Sequence, residues 1–224
     1  MSELQNQLEA LLQRLDRMGV RVEKAVREAI RAARTGDTDL GQSLADADSF
    51  IDREEVQIEQ ECIRLLALYQ PAAIDLRTIC TVIKANSDLE RIADLAASIA
   101  KRVKHMVSDQ IRFDEFPYLN ELARALLGQV GRTVRMLGGM DADAAAEVIK
   151  LDFEVDHLYR RFIHAVLDHD AARAGGAEVT MTLVQLAKAM ERIGDHCTNV
   201  AEDVIFLRTG DIVRHAGVMG EPGD

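Results

Sequence analysis

The chain repeats itself at a nearly constant offset. Residues 88–100 read DLERIADLAASIA, and residues 189–201 read AMERIGDHCTNVA. Four identities at an offset of 101 pair the first copy with the second: Glu90 with Glu191, Arg91 with Arg192, Ile92 with Ile193 and Asp94 with Asp195. Two further acids recur at an offset of 104, matching Asp48 with Asp152 and Asp52 with Asp156. Self-similarity at a fixed period indicates a duplicated structural unit, so we predict two copies of one fold.

The duplicated unit is predicted to be helical. Long stretches are rich in Ala, Leu, Glu, Arg and Ile, and the 224 residues include three prolines and no tryptophan. This composition is typical of helices. In the first helix, apolar residues alternate spacings of four and three: Leu4, Leu8, Leu11, Leu15, Met18, Val22, Ala25 and Ala29. Such a heptad seam predicts helices that pack lengthwise at shallow angles.

Capping residues and helix breakers divide the first copy into three helices. Gly36 is expected to end the first helix. Asp37 is expected to cap the second helix, which reaches about Tyr69. Pro71 suits the start of the third helix, which runs to about Val107.

The second copy follows the same plan. Helices are expected over about 118–137, from Asp141 to the glycines Gly175 and Gly176, and over about 178–208. We therefore predict an all-α fold of two tandem three-helix bundles related by pseudo-twofold symmetry. The predicted division of the chain is a first bundle at 1–110, a second bundle at 111–215 and a disordered tail at 216–224.

The overall charge and the cysteines exclude several classes of function. A net charge of −11 disfavours general binding to nucleic acid or to anionic membranes. The three cysteines are scattered and not in C-x-x-C spacing, which argues against a disulfide framework or a zinc finger. No signal-peptide pattern and no 18-residue apolar run is present. We therefore expect a cytoplasmic protein that does not insert into membranes.

The repeated acids point to ion binding. Acids four residues apart lie on one helix face and repel each other unless a cation offsets their charge. Composition alone, with 38 acids in 224 residues, predicts about six such pairs on solvated faces, so only their recurrence is informative. If the second and third helices of each bundle are neighbours, four carboxylates meet in each copy. Oxygen-rich sites suit magnesium, calcium, manganese or iron. The alternative is a structural duplication in which Arg53, Arg91 and Arg192 pair with the acids.

Enzymatic alternatives find little support. Glu154 and His157 form the E-x-x-H spacing of di-iron carboxylate bundles, but Phe50 and Arg53 occupy the equivalent positions of the first copy. No phosphate-binding loop, dinucleotide fingerprint or G-x-S-x-G elbow is present. His196 is interpreted as an ordinary surface histidine rather than a ligand. Near the C-terminus, Arg208, Arg214 and His215 are interpreted as a charge cluster at a helix end rather than an anion site. A di-metal carboxylate enzyme and a metal-free scaffold remain the alternatives to a non-enzymatic regulator.

Two segments resemble a known family. The run from Pro71 to Asp94, with DLR at 75–77 and LERIAD at 89–94, resembles the PhoU family of phosphate-signalling regulators, as does MERIGDHCTNVAEDVIFLRTGDIVRH at 190–215. The resemblance covers nearly the whole chain. It implies two three-helix bundles and a negative regulator of the phosphate-starvation response and of phosphate uptake. It also implies contacts with the ATPase subunit of a phosphate ABC transporter and with a phosphate-sensing histidine kinase, and a homodimer.

The resemblance further implies metal clusters on paired E/D-x-x-x-D motifs. The ligand candidates carried over by motif are Asp48, Asp52, Glu90, Asp94, Asp152, Asp156, Glu191 and Asp195. The implied ions are divalent or trivalent, with iron, zinc, manganese and magnesium as candidates. One departure is visible, because Ala93 stands where the second copy has the usual glycine, Gly194. The extra methyl group is expected to hold the first helix pair slightly apart and to reduce metal occupancy there.

Overall fold

The computed structural model describes residues 2–47, 49–170 and 176–211, and helices joined by short turns make up these ranges. The elements are α1 (Glu3–Thr35), α2 (Thr38–Ala47), α3 (Ser49–Tyr69), α4 (Ala73–Ser108), a short 3-10 helix (Phe113–Glu115), α5 (Pro117–Gly139), α6 (Ala142–Asp170) and α7 (Ala177–Thr209). No strand occurs within these ranges. The prediction of an all-α fold is confirmed.

The predicted helix bounds hold to within a few residues. The predicted second helix corresponds to α2 and α3, which lie on either side of residue 48. Residue 48, Gly175 and the predicted tail at 216–224 lie outside the described residues. The division of the chain at residue 110 falls between α4 and α5 and stays a prediction.

The capping residues act as the sequence indicates. Gly36 ends α1 in the left-handed region with a φ of 68°, a conformation that glycine adopts without steric cost. Asp37 caps α2, since its Oδ1 accepts a hydrogen bond of 2.9 Å from the backbone N–H of Leu40. Asp141 caps α6 in the same way, accepting one of 2.9 Å from the N–H of Asp143. These bonds satisfy donors that a helix start otherwise leaves unpaired.

The end of α5 is closed by a different device. Met140 takes the left-handed conformation there, with a φ of 46°. Arg208, at the end of α7, donates hydrogen bonds to the carbonyl oxygens of Met140 at 2.7 Å and Gly139 at 3.2 Å. This guanidinium satisfies the last carbonyls of α5 and meets the negative end of its dipole. Arg214 and His215, the other members of the predicted helix-end charge cluster, lie outside the described residues, so the cluster itself stays a prediction.

The first and third helices of each copy pack against their counterparts in the other copy. Within the first copy, α4 contacts α1, α2 and α3; within the second, α5, α6 and α7 contact one another; between the copies, α1 packs on α5 and α4 on α7. The heptad positions Leu8, Leu11, Leu15, Met18 and Val22 are all buried. The buried apolar side chains of both copies join one continuous core. This arrangement confirms the predicted fold of two tandem helical bundles.

The contact between α4 and α7 contains partly buried polar pairs. Lys84 Nζ lies 3.1 Å from Oδ1 of Asp203, whose side chain is buried. His196 Nδ1 lies 2.7 Å from Asp88 Oδ1, which also accepts a hydrogen bond of 3.2 Å from Asn199. The interpretation of His196 as a surface histidine is therefore wrong, because the ring is half-buried and joins α7 to α4.

Within the described ranges, no helix combines the length and the apolar character needed to cross a bilayer.

Candidate metal centres

The first acidic cluster lies where α3 meets α4. Asp52, on α3, and Glu90 and Asp94, on α4, each place one carboxylate oxygen within 4.8 Å of the others. The spacing of four puts Glu90 and Asp94 on one face of α4, and the packing of α3 on α4 brings Asp52 to that face. Asp52 is exposed, and the other two are half-buried. The fourth predicted ligand, Asp48, lies outside the described residues.

The electrostatics of this first cluster are only partly balanced by protein groups. Burial raises the pKa of Glu90, the charge of Asp94 raises it further, and Arg91 acts in the opposite direction. Arg91 lies 3.4 Å from a Glu90 oxygen and 3.5 Å from an Asp94 oxygen. The arginine is well exposed, so these long contacts are weak. Of the three arginines in the alternative interpretation, Arg91 thus pairs with the acids, but it does not neutralise three carboxylates.

The second acidic cluster lies where α6 meets α7. Asp152 and Asp156, on α6, and Asp195, on α7, again place one oxygen each within 4.8 Å of one another. The remaining predicted ligand, Glu191, is not part of this triad. Its two oxygens lie 2.7 Å and 2.6 Å from Lys188 Nζ, one turn earlier on α7. The structure thus assembles three of the four predicted acids and directs the fourth into an ion pair.

Ionisation of the acids is disfavoured more strongly in the second cluster than in the first. Burial raises the pKa of Asp195 to about 6, and the charges of Glu191, Asp152 and Asp156 add to the effect. Burial also raises the pKa of Asp152, against which a hydrogen bond from Gln129 acts. Both shifts show that the folded protein disfavours the ionised acids. A bound cation would remove that penalty, because it favours the ionised form.

The donor set fits a hard metal ion. All three groups in each cluster are carboxylates, the ligands preferred by magnesium, manganese and ferrous iron. Three carboxylates with oxygens within 4.8 Å of one another face one paired arginine in each cluster, Arg91 in the first and Arg160, 3.0 Å from Asp156, in the second. The remaining negative charge is what a cation would offset. Asp52, Glu90 and Asp94 would hold an ion in the first copy, and Asp152, Asp156 and Asp195 in the second. Bound there, an ion would supply positive charge and fix the helix pair.

The di-iron pattern is not assembled. Glu154 and His157 are both exposed, and among the described residues neither belongs to an acidic cluster. The two residues with the spacing of a di-iron oxidase therefore do not contribute to either acidic cluster. This placement argues against the di-metal enzyme that the E-x-x-H spacing left open.

Three residues near the clusters were not recognised in the sequence. Glu55 follows Asp52 by one turn, and burial together with the charges of Glu59 and Asp52 raises its pKa; its spacing could have identified it. Lys188 precedes Glu191 by three residues, a spacing that permits an ion pair. Gln129 gives no local signal, because it sits on α5 and reaches residues that lie 23 and 65 positions away.

Comparison with known proteins decides the family. The PhoU domain model matches residues 15–103 and 119–204, one match in each copy of the repeat. This chain belongs to the PhoU family. A PhoU homolog from Pseudomonas aeruginosa, named a phosphate-specific transport system accessory protein, is 32% identical over 212 residues, covering 95% of this chain and 88% of the relative. The corresponding PhoU protein of Escherichia coli is 28% identical over 211 residues, covering 94% and 87%.

Solved PhoU structures have the same fold. The crystal structure of PhoU from Pseudomonas aeruginosa superposes with a TM-score of 0.88 at 31% identity, covering 93% of this chain and all of that one. The regulatory protein PhoU from Streptococcus pneumoniae superposes with a TM-score of 0.87 over 94% and 99%; at 24% identity it supports the fold alone. The relatives from Pseudomonas aeruginosa and Escherichia coli are named as accessory proteins, which agrees with the expectation of a regulator rather than an enzyme.

Proposed function

We propose that this protein represses the phosphate-starvation response and phosphate uptake when phosphate is plentiful. The observation that carries the proposal is the PhoU domain match in both copies of the repeat. Relatives that align over nearly all of this chain are named as accessory proteins of a phosphate-specific transport system. The protein acts in the cytoplasm as a homodimer, through contacts with the transporter ATPase subunit and the phosphate-sensing histidine kinase.

The surface around the acidic clusters supports action through protein contacts. Val56, one turn from Asp52 on α3, is 46% exposed, and Phe153, next to Asp152 on α6, is 70% exposed. Phe50, two residues before Asp52, is 40% exposed and packs on Arg21 of α1. Large apolar side chains beside a charged cluster are what a protein interface buries. Long helical faces also suit helix-on-helix recognition. Each copy of the repeat thus offers one such face, so one protein can engage two partners.

The proposed role of the acidic clusters is to hold metal ions that fix these faces. Six of the eight predicted ligands form the clusters, namely Asp52, Glu90, Asp94, Asp152, Asp156 and Asp195; Asp48 and Glu191 are the other two. Oxygen ligation favours iron, manganese or magnesium over zinc. Each ion joins two helices of one bundle. Removing it leaves repelling carboxylates between these helices and loosens the face that they form.

Deletion of the gene in its native host tests the proposal. In phosphate-rich medium, the deletion strain should express alkaline phosphatase and take up phosphate at the rates of a starved strain. A plasmid with the wild-type gene should restore repression. A plasmid whose gene carries Phe50→Ser and Phe153→Ser should restore repression only in part. The control is a gene with Val20→Ser, a change at a 53% exposed residue on α1, which should restore repression fully. Full repression in the deletion strain, with no second family member in that genome, contradicts the proposal.

A further inference from the structure

A buried amide reaches the second acidic cluster from the core. Gln129, on α5, is fully buried. Its Nε2 donates hydrogen bonds to Asp152 Oδ1 at 3.1 Å and to the carbonyl oxygen of Gly194 at 3.3 Å. Because both partners are acceptors, the amide orientation is fixed. Its Oε1 is buried and has no hydrogen-bond partner among the described residues, an arrangement that costs stability and calls for a compensating role.

Gly194 provides the space for this contact. A Cβ atom at that position would lie 2.9 Å from Gln129 Oε1, 3.0 Å from Asp152 Oδ1 and 3.2 Å from Val155 Cγ1. The first distance is shorter than real Cβ contacts and the other two are tighter than most, so a larger residue would displace the amide or the carboxylate. The amide, the carboxylate and the two helices α6 and α7 meet here because this position has no side chain.

The first copy has neither an amide equivalent to Gln129 nor a glycine equivalent to Gly194. Helices α1 and α5 can be aligned by the left-handed residues that end them, Gly36 and Met140. These two residues are 104 positions apart. At that offset Ala25 corresponds to Gln129, and Ala93 stands where the second copy has Gly194. A methyl side chain cannot reach the acids or donate a hydrogen bond. The amide is therefore specific to the second copy.

We propose that Gln129 is a positioning residue for a divalent cation bound by Asp152, Asp156 and Asp195. Its amide holds one oxygen of Asp152, so that the carboxylate is oriented before the ion arrives. Partners of this kind orient metal-ligating carboxylates, and their loss typically lowers metal affinity by about 10- to 100-fold. Gly194 is the second element, since it admits the amide to the carboxylate. The inference rests on the proposed binding of metal at the second cluster.

The test uses manganese as the probe and a background in which one site remains. Asp52→Asn and Asp94→Asn remove two carboxylates of the first cluster, and the chelator-treated full-length protein is titrated with MnCl2 while free Mn²⁺ is followed by electron paramagnetic resonance. Into this background we place Gln129→Met, which keeps the side-chain length without the amide, and Gly194→Ala. The matched control is Thr133→Val, a buried change on the same helix one turn away.

We expect Gln129→Met to raise the Mn²⁺ dissociation constant by about 10- to 100-fold. Gly194→Ala should also raise it, and Thr133→Val should change it by less than threefold. The melting temperature of metal-free Gln129→Met should not fall, because the change also removes a buried unpaired carbonyl. Equal Mn²⁺ affinity in the Gln129→Met protein and its background would overturn the inference while leaving the proposed metal site intact. No Mn²⁺ binding in the background protein itself would overturn both.

Discussion

Neutralising Asp195 should stabilise the metal-free protein at neutral pH. The usual pKa of this aspartate is 3.8, and the folded protein raises it to about 6, first by burial and then through Glu191, Asp152 and Asp156. Because the folded state holds the proton more tightly than the unfolded state, the stabilising contribution is fully present below pH 4. It is lost as the pH rises through about 6.

The magnitude follows from the size of this shift. A shift of about two units corresponds to an upper limit of about 3 kcal/mol at about 1.4 kcal/mol per unit. Asp195 is exposed by more than a third of its surface, so solvent screening reduces the effect to about 1 kcal/mol. The Asp195→Asn protein, which carries no titrating group there, should be about 1 kcal/mol more stable than wild type at pH 7. The two should be equally stable near pH 4.

Urea denaturation in the presence of a chelator, at intervals from pH 4 to pH 7.5, measures this difference. The control is Asp168→Asn, an exposed aspartate on α6 outside the cluster, which should follow the wild-type pH dependence. Added Mn²⁺ should reverse the order, because the ion binds the ionised cluster and stabilises wild type more than the variant. A wild type more stable than Asp195→Asn at pH 7 without metal, or a difference independent of pH, would refute the reasoning.

Two further predictions concern the scaffold, and both are read from urea denaturation midpoints. Gly41→Ala should destabilise by about 1–3 kcal/mol, because the new Cβ atom would lie 2.8 Å from the backbone oxygen of Ala100. The matched change Gly128→Ala meets nothing closer than 3.8 Å and should stabilise by about 0.5–1 kcal/mol; equal effects would contradict the close packing of α2 on α4. Lys84→Met should cost about 1–3 kcal/mol, because it removes the ammonium that lies 3.1 Å from the buried Asp203; an unchanged midpoint would show that this pair is not stabilising.

The fold could be predicted from the sequence because its determinants are local. The heptad spacing of α1, the caps at Asp37 and Asp141 and the glycine at Gly36 each act within a few residues. The duplication then supplied the topology, since the same pattern recurs at a fixed offset. The packing partners of the helices remained to be found, and the structure pairs the first helices of the two copies, α1 with α5, and the third helices, α4 with α7.

The candidate sites could be predicted only in part. A spacing of four places Glu90 beside Asp94 and Asp152 beside Asp156 without knowledge of the fold. Glu191 satisfied the same rule, but an ion pair with Lys188 competes for its carboxylate, and spacing cannot decide between the two.

Contacts between residues far apart in the chain could not be predicted from the sequence. The contact of His196 with Asp88 joins residues 108 positions apart, and that of Gln129 with Gly194 joins residues 65 apart. Both depend on how the helices of different segments pack, for which no local pattern exists.

Metal binding to the two acidic clusters is tested most directly by isothermal titration of chelator-treated protein with Mn²⁺ and Fe²⁺. Wild type should bind at least one ion in each copy of the repeat. The quadruple variant Asp52→Asn, Asp94→Asn, Asp152→Asn and Asp195→Asn should bind none while keeping its helical circular dichroism spectrum, because two of the three clustered carboxylates are lost from each site. Equal stoichiometry and affinity in wild type and the quadruple variant, or no binding by wild type, would contradict the assignment of these clusters as metal sites.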